Sequence, residues 1–222
     1  MLLVTSGVNA QGTDLRAGQY DDLADLARQE TQRVEALQDQ VATLNAEIEE
    51  LSAQVHDTDL AELQRQVDAL AGPAGLTAVE GPGLTVTLED APQAVRDTAG
   101  EHLADAIVHQ QDIQAVANAL WAGGAEAMTL QGQRVISTTG IKCVGNTVQL
   151  HGVTYSPPYV ISAIGDVDRM RAALDASPYV QAYLLAVDQW QLGWDVAVED
   201  RLVAPAYEGT TEMRYARTAT GS

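Results

Sequence analysis

The stretch IVHQQDIQAVANALWAGGAEAM, residues 107–128, decides the fold of the globular part of this chain. Its apolar side chains recur on one face of a helix, and they are Ile113, Val116, Ala117, Leu120 and Trp121. His109 precedes this stripe and Asp112 follows three residues later, which is the spacing of a helix N-terminal cap. Gly123 and Gly124 predict the end of the helix, because glycine adopts the left-handed cap conformation without steric cost. A strand is predicted to follow at once, so the stretch forms one helix–strand packing unit.

The segments around this unit predict a mixed α+β domain. Alternating and β-branched patterns predict strands at 84–88, 125–130, 134–137, 141–144, 147–150, 153–155, 159–164, 180–187 and 191–198. A second helix is predicted at 167–176, and the polar segment 89–100 is predicted to be a loop. The resulting order predicts a ferredoxin-like domain, βαββαβ with an extra hairpin, a fold that hosts many functions.

A long heptad pattern precedes the domain. The helix predicted from about Tyr20 to Val55 carries β-branched residues at heptad position a and leucine at position d. These residues form the heptad seam, which consists of Val34, Leu37, Val41, Leu44, Ile48, Leu51 and Val55. Such a pattern favours a parallel two-stranded coiled coil, so we expect a homodimer. Three heptads are a short pattern, and a single amphipathic helix packed on its own domain stays open as the alternative.

The pattern divides the chain into five predicted segments. They are a small polar linker at 1–19, a coiled-coil helix at 20–56, a short helix with a Gly/Pro hinge at 57–83, the domain at 84–198 and an irregular tail at 199–222. Gly81-Pro82-Gly83 marks the hinge. The opening residues MLLV are too short to cross a bilayer, and we interpret them as the trimmed end of a longer apolar helix.

Charge and motif spacing narrow the function classes. The chain has 31 acidic and 12 basic residues, which argues against binding nucleic acid or an anionic membrane surface. The single cysteine, Cys143, excludes an intramolecular disulfide and is predicted to be buried. The histidines lie far apart without metal-ligand spacing, and Ser156 lacks the G-x-S-x-G context of a nucleophile. Glu101, His102 and Asp105 could form a weak metal site, but solvated loop acids are the simpler interpretation. No catalytic residue and no cofactor is assigned.

Two surfaces are candidates for binding. The first is the amide face, Gln111, Gln114 and Asn118, which is uncharged and lies opposite the apolar stripe of its helix. It is either solvated or a contact surface for a protein partner, because interface cores are depleted in charge. The second is the aromatic set, which either fills the core or lines a groove for an envelope ligand, and it consists of Tyr155, Tyr159, Trp190 and Trp194. A pocket beneath Pro157-Pro158 is a further place for a small ligand.

Four ordered segments carry a resemblance to a known family. They are GPGLTVTL at 81–88, IVHQQDIQAVANALWAGGAEAMTLQGQRVISTT at 107–139, CVGNTVQLHG at 143–152 and PPYVISAIGD at 157–166. The chain resembles the bacterial family called Domain of Unknown Function 881. The resemblance implies an N-terminal membrane helix, which this chain lacks, then a coiled coil and a domain outside the cytoplasm. It also implies genes near those of cell division in Gram-positive bacteria, and it supplies no catalytic residues.

We therefore expect a non-enzymatic, envelope-associated interaction or scaffold module linked to cell division or cell-wall processes. The expected partners are a second copy of the chain and an unidentified envelope protein. Two other hypotheses stay open, which are an extracytoplasmic small-ligand-binding or sensing domain, and an enzyme that uses the acids of segment 89–105.

Overall fold

The computed structural model describes residues 15–54, 58–145, 147–209, 211 and 215. Two helices, α1 (Leu15–Gln54) and α2 (Thr58–Ala71), precede an α+β domain. The strands of the domain are β1 (Val79–Glu89), β2 (Ala127–Leu130), β3 (Gln133–Val135), β4 (Ile141–Val144), β5 (Thr147–Leu150), β6 (Val153–Tyr155), β7 (Tyr159–Ile164) and β8 (Gly193–Ala204). Its helices are α3 (Gln93–Thr98), a 3₁₀ helix (Gly100–Ala106), α4 (Gln110–Ala122), α5 (Val167–Ala176) and α6 (Pro178–Trp190). In the part of the chain that is described, no helix has the length and apolarity needed to cross a bilayer.

The main sheet has five antiparallel strands in the order β3-β2-β7-β1-β8. Both β1 and β2 pair antiparallel with β7, so these two strands run in the same direction and α4 connects them. Strands β7 and β8 likewise both pair antiparallel with β1, and α5 and α6 connect them. The connection from β1 to β2 therefore crosses β7, and the connection from β7 to β8 crosses β1. Strands β4, β5 and β6 form a separate antiparallel sheet.

The apolar stripe of α4 packs into the main core, as the sequence predicts. Ile113, Val116 and Leu120 are at most 1% exposed, and they join Leu84 and Val86 of β1 in one buried cluster. Burying an aliphatic side chain of this size stabilises the fold by about 1.5–3 kcal/mol. The stripe ends at Trp121, which is 39% exposed. The apolar face of α4 therefore packs on the sheet, and the opposite face of the helix points away from it.

Glycine at the end of α4 allows a close contact between helices. Gly124 has φ +89°, which confirms the predicted glycine stop. A Cβ at Gly123 would lie 2.7 Å from the Cα of Met170 in α5 and 3.1 Å from the Cβ of Ala173. Only a residue without a side chain lets α4 approach α5 this closely, and this approach positions both helices on the sheet.

The predicted strand at 180–187 is wrong, because this segment lies in helix α6. Ser177 caps the helix by accepting a hydrogen bond at Oγ from the backbone N–H of Val180, and Pro178 occupies the first turn. Val180 and Tyr183 are buried three residues apart, which is a helical spacing. Apolar residues occur on most sides of this helix, so its sequence does not show a clear helical period.

The predicted hinge is also wrong, because Gly81-Pro82-Gly83 lies inside β1. The pairing of β1 with β8 shifts register between Gly81 and Gly83, and this irregularity accommodates Pro82, which has no N–H to donate. β8 continues to Ala204, so residues 199–204 belong to the sheet rather than to an irregular tail. The domain thus begins and ends farther out than predicted, since Val79 pairs with Ala204.

Two smaller predictions are corrected as well. Part of the polar segment 89–100 forms α3, and the 3₁₀ helix follows it. Cys143 is exposed rather than buried, as are its neighbours Lys142 and Val144 in β4. Its Sγ accepts a hydrogen bond from the N–H of Gln110 at 3.2 Å.

Candidate functional site

The amide face lines a shallow groove between α4 and the two C-terminal helices. Gln111 and Asn118 are exposed and Gln114 is half-buried. This amide groove has a volume of about 640 Å³, and its other lining residues are Ala115, Ala119, Ala122, Ala173, Ala176, Ser177 and Tyr179. The structure therefore brings the three predicted residues together, with small apolar side chains between them and one tyrosine at the edge.

A second hollow continues from the amide groove toward the start of α4. It measures about 710 Å³ and lies between the 3₁₀ helix, α4 and α6. We call it the histidine cleft, and its polar and aromatic lining consists of His102, Asp105, His109, Gln111, Asp112, Tyr179, Tyr183, Gln189 and Trp190. Gln111, Ala115 and Tyr179 border both hollows, so they form one continuous surface.

Helix α6 supplies the apolar part of this surface. Tyr179 is 73% exposed and Leu185 is 70% exposed, although both are large side chains. The sequence pattern does not reveal these residues, since Leu185 lies in the strand predicted at 180–187 and Tyr179 directly precedes it. The Ser-Pro pair at 177–178, which is typical of a helix start, was the signal that could have revealed them.

Two histidine–aspartate pairs line the histidine cleft. The Nδ1 of His102 lies 3.0 Å from the Oδ2 of Asp105, and the His102 ring stacks on Trp190 with centroids 5.4 Å apart. The Nδ1 of His109 lies 3.9 Å from the Oδ2 of Asp112, outside hydrogen-bond distance. In both pairs the partners are three residues apart on the same segment, which is the geometry of local contacts.

Asp112 holds the beginning of α4. Its Oδ2 accepts a hydrogen bond of 2.8 Å from the N–H of His109, and its own N–H donates to the carbonyl of His109 at 3.0 Å. The bond from the His109 N–H to the Asp112 side chain confirms the predicted cap. Burial raises the pKa of the Asp112 carboxyl, against the lowering effects of the backbone hydrogen bond and of His109. Structural capping therefore accounts for the carboxylate without an acid–base role.

The four aromatic residues predicted as one set belong to the main core cluster, in which Tyr159 is buried and Tyr155, Trp190 and Trp194 are half-buried against it. Tyr159 is 1% exposed, and burial raises the pKa of its phenol to about 12. Trp194 packs against Tyr183 with ring centroids 5.9 Å apart, and the Tyr183 hydroxyl donates to the carbonyl of Gly193. Burial raises the pKa of Tyr183 as well, and nearby Asp112 and Asp90 add to it. Of the set, Trp190 lines the histidine cleft.

The predicted metal trio is not assembled as a ligand set. His102 and Asp105 contact each other, whereas Glu101 is absent from the lining of the histidine cleft. Within the described ranges, no group of three or more His, Cys, Asp or Glu side chains is arranged to hold a metal ion.

The predicted pocket at Pro157-Pro158 corresponds to a different hollow of about 440 Å³, which Pro157 borders. Arg96 and Asp90, which also line this hollow, form an ion pair at 3.0 Å.

The heptad seam lies on the surface of α1. Leu37, Val41, Leu44, Ile48 and Leu51 are between 45% and 63% exposed. Val34 is half-buried, because its Cγ1 lies 3.5 Å from the Cβ position of Gly152. Val55, the last residue of the seam, falls outside the described residues. The single chain thus presents an apolar stripe along the C-terminal half of α1.

Comparison with known proteins identifies the family. The family described as "Bacterial protein of unknown function (DUF881)" matches residues 66–217. The chain belongs to this family. The match confirms the resemblance seen in the sequence. It covers part of α2 and the whole domain, and the heptad seam lies N-terminal to the matched residues.

Two curated relatives and one crystal structure extend the DUF881 match. A UPF0749 protein of Mycobacterium tuberculosis is 32% identical over 182 residues, which are 79% of this chain and 59% of that protein. The UPF0749 protein YlxW of Bacillus subtilis is 40% identical over 101 residues, 46% of this chain and 42% of YlxW. The crystal structure of an uncharacterized conserved protein from M. tuberculosis aligns with a TM-score of 0.51 and 25% identity, covering 68% of this chain and 98% of that one. The chain therefore shares the fold of a solved structure and spans 59% or less of these curated relatives.

The cap at Asp112 predicts a specific dependence of stability on pH. The folded chain binds the Asp112 proton more tightly than the unfolded chain, because its folded pKa lies above 3.8. The free energy of unfolding contributed by this group therefore falls as pH rises from the unfolded pKa through the folded pKa. Asp112→Asn, which keeps a hydrogen-bond acceptor, should remove this fall, whereas Asp112→Ala should cost about 1 kcal/mol through loss of the cap. Urea unfolding between about pH 3 and 7 measures both effects.

The matched control is Asp168→Asn, an exposed carboxylate in the first turn of α5. It should leave that part of the pH dependence in place. Identical pH profiles for the wild type and Asp112→Asn would contradict the assignment.

Proposed function

We propose that this chain is a non-enzymatic interaction module, in which α1 pairs with α1 of a second copy and the domain contacts an envelope protein. One observation carries the proposal, which is the exposure of the heptad seam from Leu37 to Leu51 on a helix of 40 residues. Contiguous exposed apolar side chains of this kind mark interaction surfaces. Their β-branched a and leucine d positions suit a parallel two-stranded coiled coil.

The position of the heptad seam relative to the domain also favours a second copy as the occupant. A groove of about 980 Å³ lies between α1 and the domain, and Val34, Leu37 and Val41 border it. Leu44, Ile48 and Leu51 are not among its lining residues and are 56–63% exposed. The domain of the same chain therefore reaches only the first part of the heptad seam. Pairing with another helix would bury its whole length.

We infer that the domain is ferredoxin-like and presents the amide groove. The β1–β2 connection crosses β7 and the β7–β8 connection crosses β1, and these crossings support the split βαβ topology. The amide groove supports the contact role, since it combines uncharged amides with alanine and Tyr179 in a chain of net charge -19. The same net charge favours a protein partner over nucleic acid.

The proposed location is the extracytoplasmic side of a bacterial cell membrane. It rests on the family resemblance, which implies a membrane helix ahead of the coiled coil and a link to cell division or cell-wall processes. In this arrangement α1 acts as a stalk, and its described 40 residues extend about 60 Å at 1.5 Å per residue. The stalk would hold two domains at a fixed distance from the membrane surface.

A second candidate function is binding of a small extracytoplasmic ligand, as in a sensing domain. The histidine cleft favours it, because aromatic Trp190 and Tyr183 meet the polar His109 and Asp112 in one hollow of about 710 Å³. Ligand sites are often concave and combine apolar walls with a few polar groups. This role is compatible with a dimeric stalk.

Cysteine cross-linking tests the pairing and its direction. In a Cys143→Ser background, we expect Leu37→Cys and Leu51→Cys each to form covalent dimers with a short bis-maleimide reagent, because a parallel pair places each residue opposite its own copy. Denaturing gels measure the dimer fraction at low protein concentration. An antiparallel pair would instead link Leu37→Cys chains to Leu51→Cys chains in a mixture.

The control is Ala46→Cys, an exposed residue on the opposite side of α1. It should stay largely monomeric under the same conditions. Equal cross-linking of Ala46→Cys and the seam variants would remove the proposed pairing.

A substitution in the amide groove tests the contact with an envelope partner. Gln114→Lys should abolish recovery of a membrane-derived partner in a pull-down, because it places a charge in the centre of an uncharged surface. Its melting temperature should stay close to that of the wild type, since surface substitutions usually change stability by less than about 0.5 kcal/mol. Gln66→Lys, an exposed residue of α2, is the control and should retain the partner. Equal recovery by both variants would contradict the role of the amide groove.

A further inference from the structure

The amide groove and the histidine cleft together form one elongated hollow beside α4, which we call the joint groove. The two parts share Gln111, Ala115 and Tyr179, and their linings run from His109 at the start of α4 to Ala122 at its end. The 13 residues of α4 extend about 20 Å at 1.5 Å per residue. A partner helix of about the same length could therefore lie along the whole joint groove.

Small side chains line much of the joint groove. On α4 they are Ala115, Ala119 and Ala122, at spacings of four and three residues, and α5 adds Ala173 and Ala176. The distance between two packed helices depends on the size of the side chains at their contact. Alanine at these positions therefore allows a further helix to approach α4 and α5 closely.

Two large apolar side chains of α6 stand beside these alanines. Tyr179 and Leu185 line the histidine cleft and are 73% and 70% exposed. Exposed apolar side chains that border a groove are typical of a site for a partner. An amphipathic helix that binds in such a groove buries side chains that recur every three to four residues. The shape and the apolar residues of the joint groove suit this mode of recognition.

The histidine cleft makes one end of the joint groove acidic. Asp105 and Asp112 line it, and the described residues that line the joint groove include no Lys or Arg. The two histidines of the lining carry a charge only when they are protonated. Gln189 and Trp190, at the C-terminal end of α6, also line the cleft, and the last turn of α6 has no basic residue. Because a helix C-terminus stabilises a nearby cation, this end favours a lysine or arginine of a partner.

The charge of this chain's own exposed helices argues against a second copy as the occupant. α1 contains nine acidic and three basic residues, and α2 contains three acidic and one basic residue. Either helix would bring negative charge to the acidic end of the joint groove, and like charges that meet across an interface are unfavourable. Charge complementarity therefore points to a different protein.

We propose that the joint groove binds a basic amphipathic helix of a different protein. The apolar residues of that helix pack on the alanines, Tyr179 and Leu185, and one lysine or arginine enters the histidine cleft beside Asp105. This binding mode rests on the contact role proposed for the amide groove, and it adds the chemistry of the partner. It assigns the histidine cleft to the same partner, and it does not require pairing of α1.

Site-specific photo-cross-linking of the full chain, in the cells that produce it, tests the occupant. p-Benzoylphenylalanine replaces either Asn118 at the amide end or Gln189 at the histidine cleft, and mass spectrometry identifies the captured segment. We expect both positions to capture one segment of another protein, with apolar residues at helical spacing and an excess of Lys and Arg. The control position is Asp195, which is exposed on β8 and absent from both linings, and it should not capture this segment.

The outcomes separate the basic helix from the contact role itself. Capture of another protein through a segment without helical spacing or without an excess of basic residues would overturn the basic helix and leave the contact role of the amide groove in place. Capture of a second copy of this chain, or no capture at either position, would overturn both.

A charge reversal tests the cation expected at the histidine cleft. In the chain that carries the cross-linker at position 118, Asp105→Lys should lower the yield of the captured segment by about fivefold, because repulsion replaces attraction. Asp195→Lys changes the net charge equally and should leave the yield unchanged. Both residues are exposed, so the melting temperatures should stay close to that of the wild type. Equal yields from the two variants would contradict a cation beside Asp105.

Discussion

The pairing of β1 on both of its edges is the constraint on which the rest of the domain depends. β1 lies between β7 and β8, and its inward side chains Leu84, Val86 and Leu88 are fully buried. At Gly83 a side chain would collide with the carbonyl oxygen of Ala163 on β7, so glycine is required for the strands to meet. Both helical connections of the main sheet begin or end on β1 or on its neighbours, and so α4, α5 and α6 are all placed by this strand.

The helices placed in this way make the candidate surfaces. α4 presents its amides on the side away from the core, and α6 adds Tyr179 and Leu185 beside them. On another part of the domain, Arg134 joins the segment before β1 to the segment after β8. The candidate contact surface is therefore a consequence of how the sheet places α4, α5 and α6, and not a separate addition to the fold.

Local signals in the sequence predicted much of this arrangement. The periodic stripe of α4, its cap at Asp112 and its glycine stop could all be recognised, because each depends on residues within one turn or two. α6 could not be assigned by the same means, since its apolar residues cover most of the helix and obscure the period. The sequence therefore predicts the amide face of the amide groove but not Tyr179, which lines the same groove from α6.

Features that depend on distant pairing could not be predicted. Gly81-Pro82-Gly83 is typical of a hinge, and only its register with β8 shows it to be part of a strand. An arginine in a three-residue strand is normally expected on the surface. The burial of Arg134 follows from carbonyls 57 and 71 residues away in the sequence. Such contacts exist only once the sheet has formed.

The central claim is that the exposed heptad seam makes this DUF881 protein a paired module. Its most direct test is the mass of the chain in solution by multi-angle light scattering over a range of protein concentrations. The account predicts a dimer with twice the 23.6 kDa mass of one chain. The Leu44→Asp variant should instead have the mass of a single chain. A mass of 23.6 kDa at every concentration for the unaltered chain would contradict it.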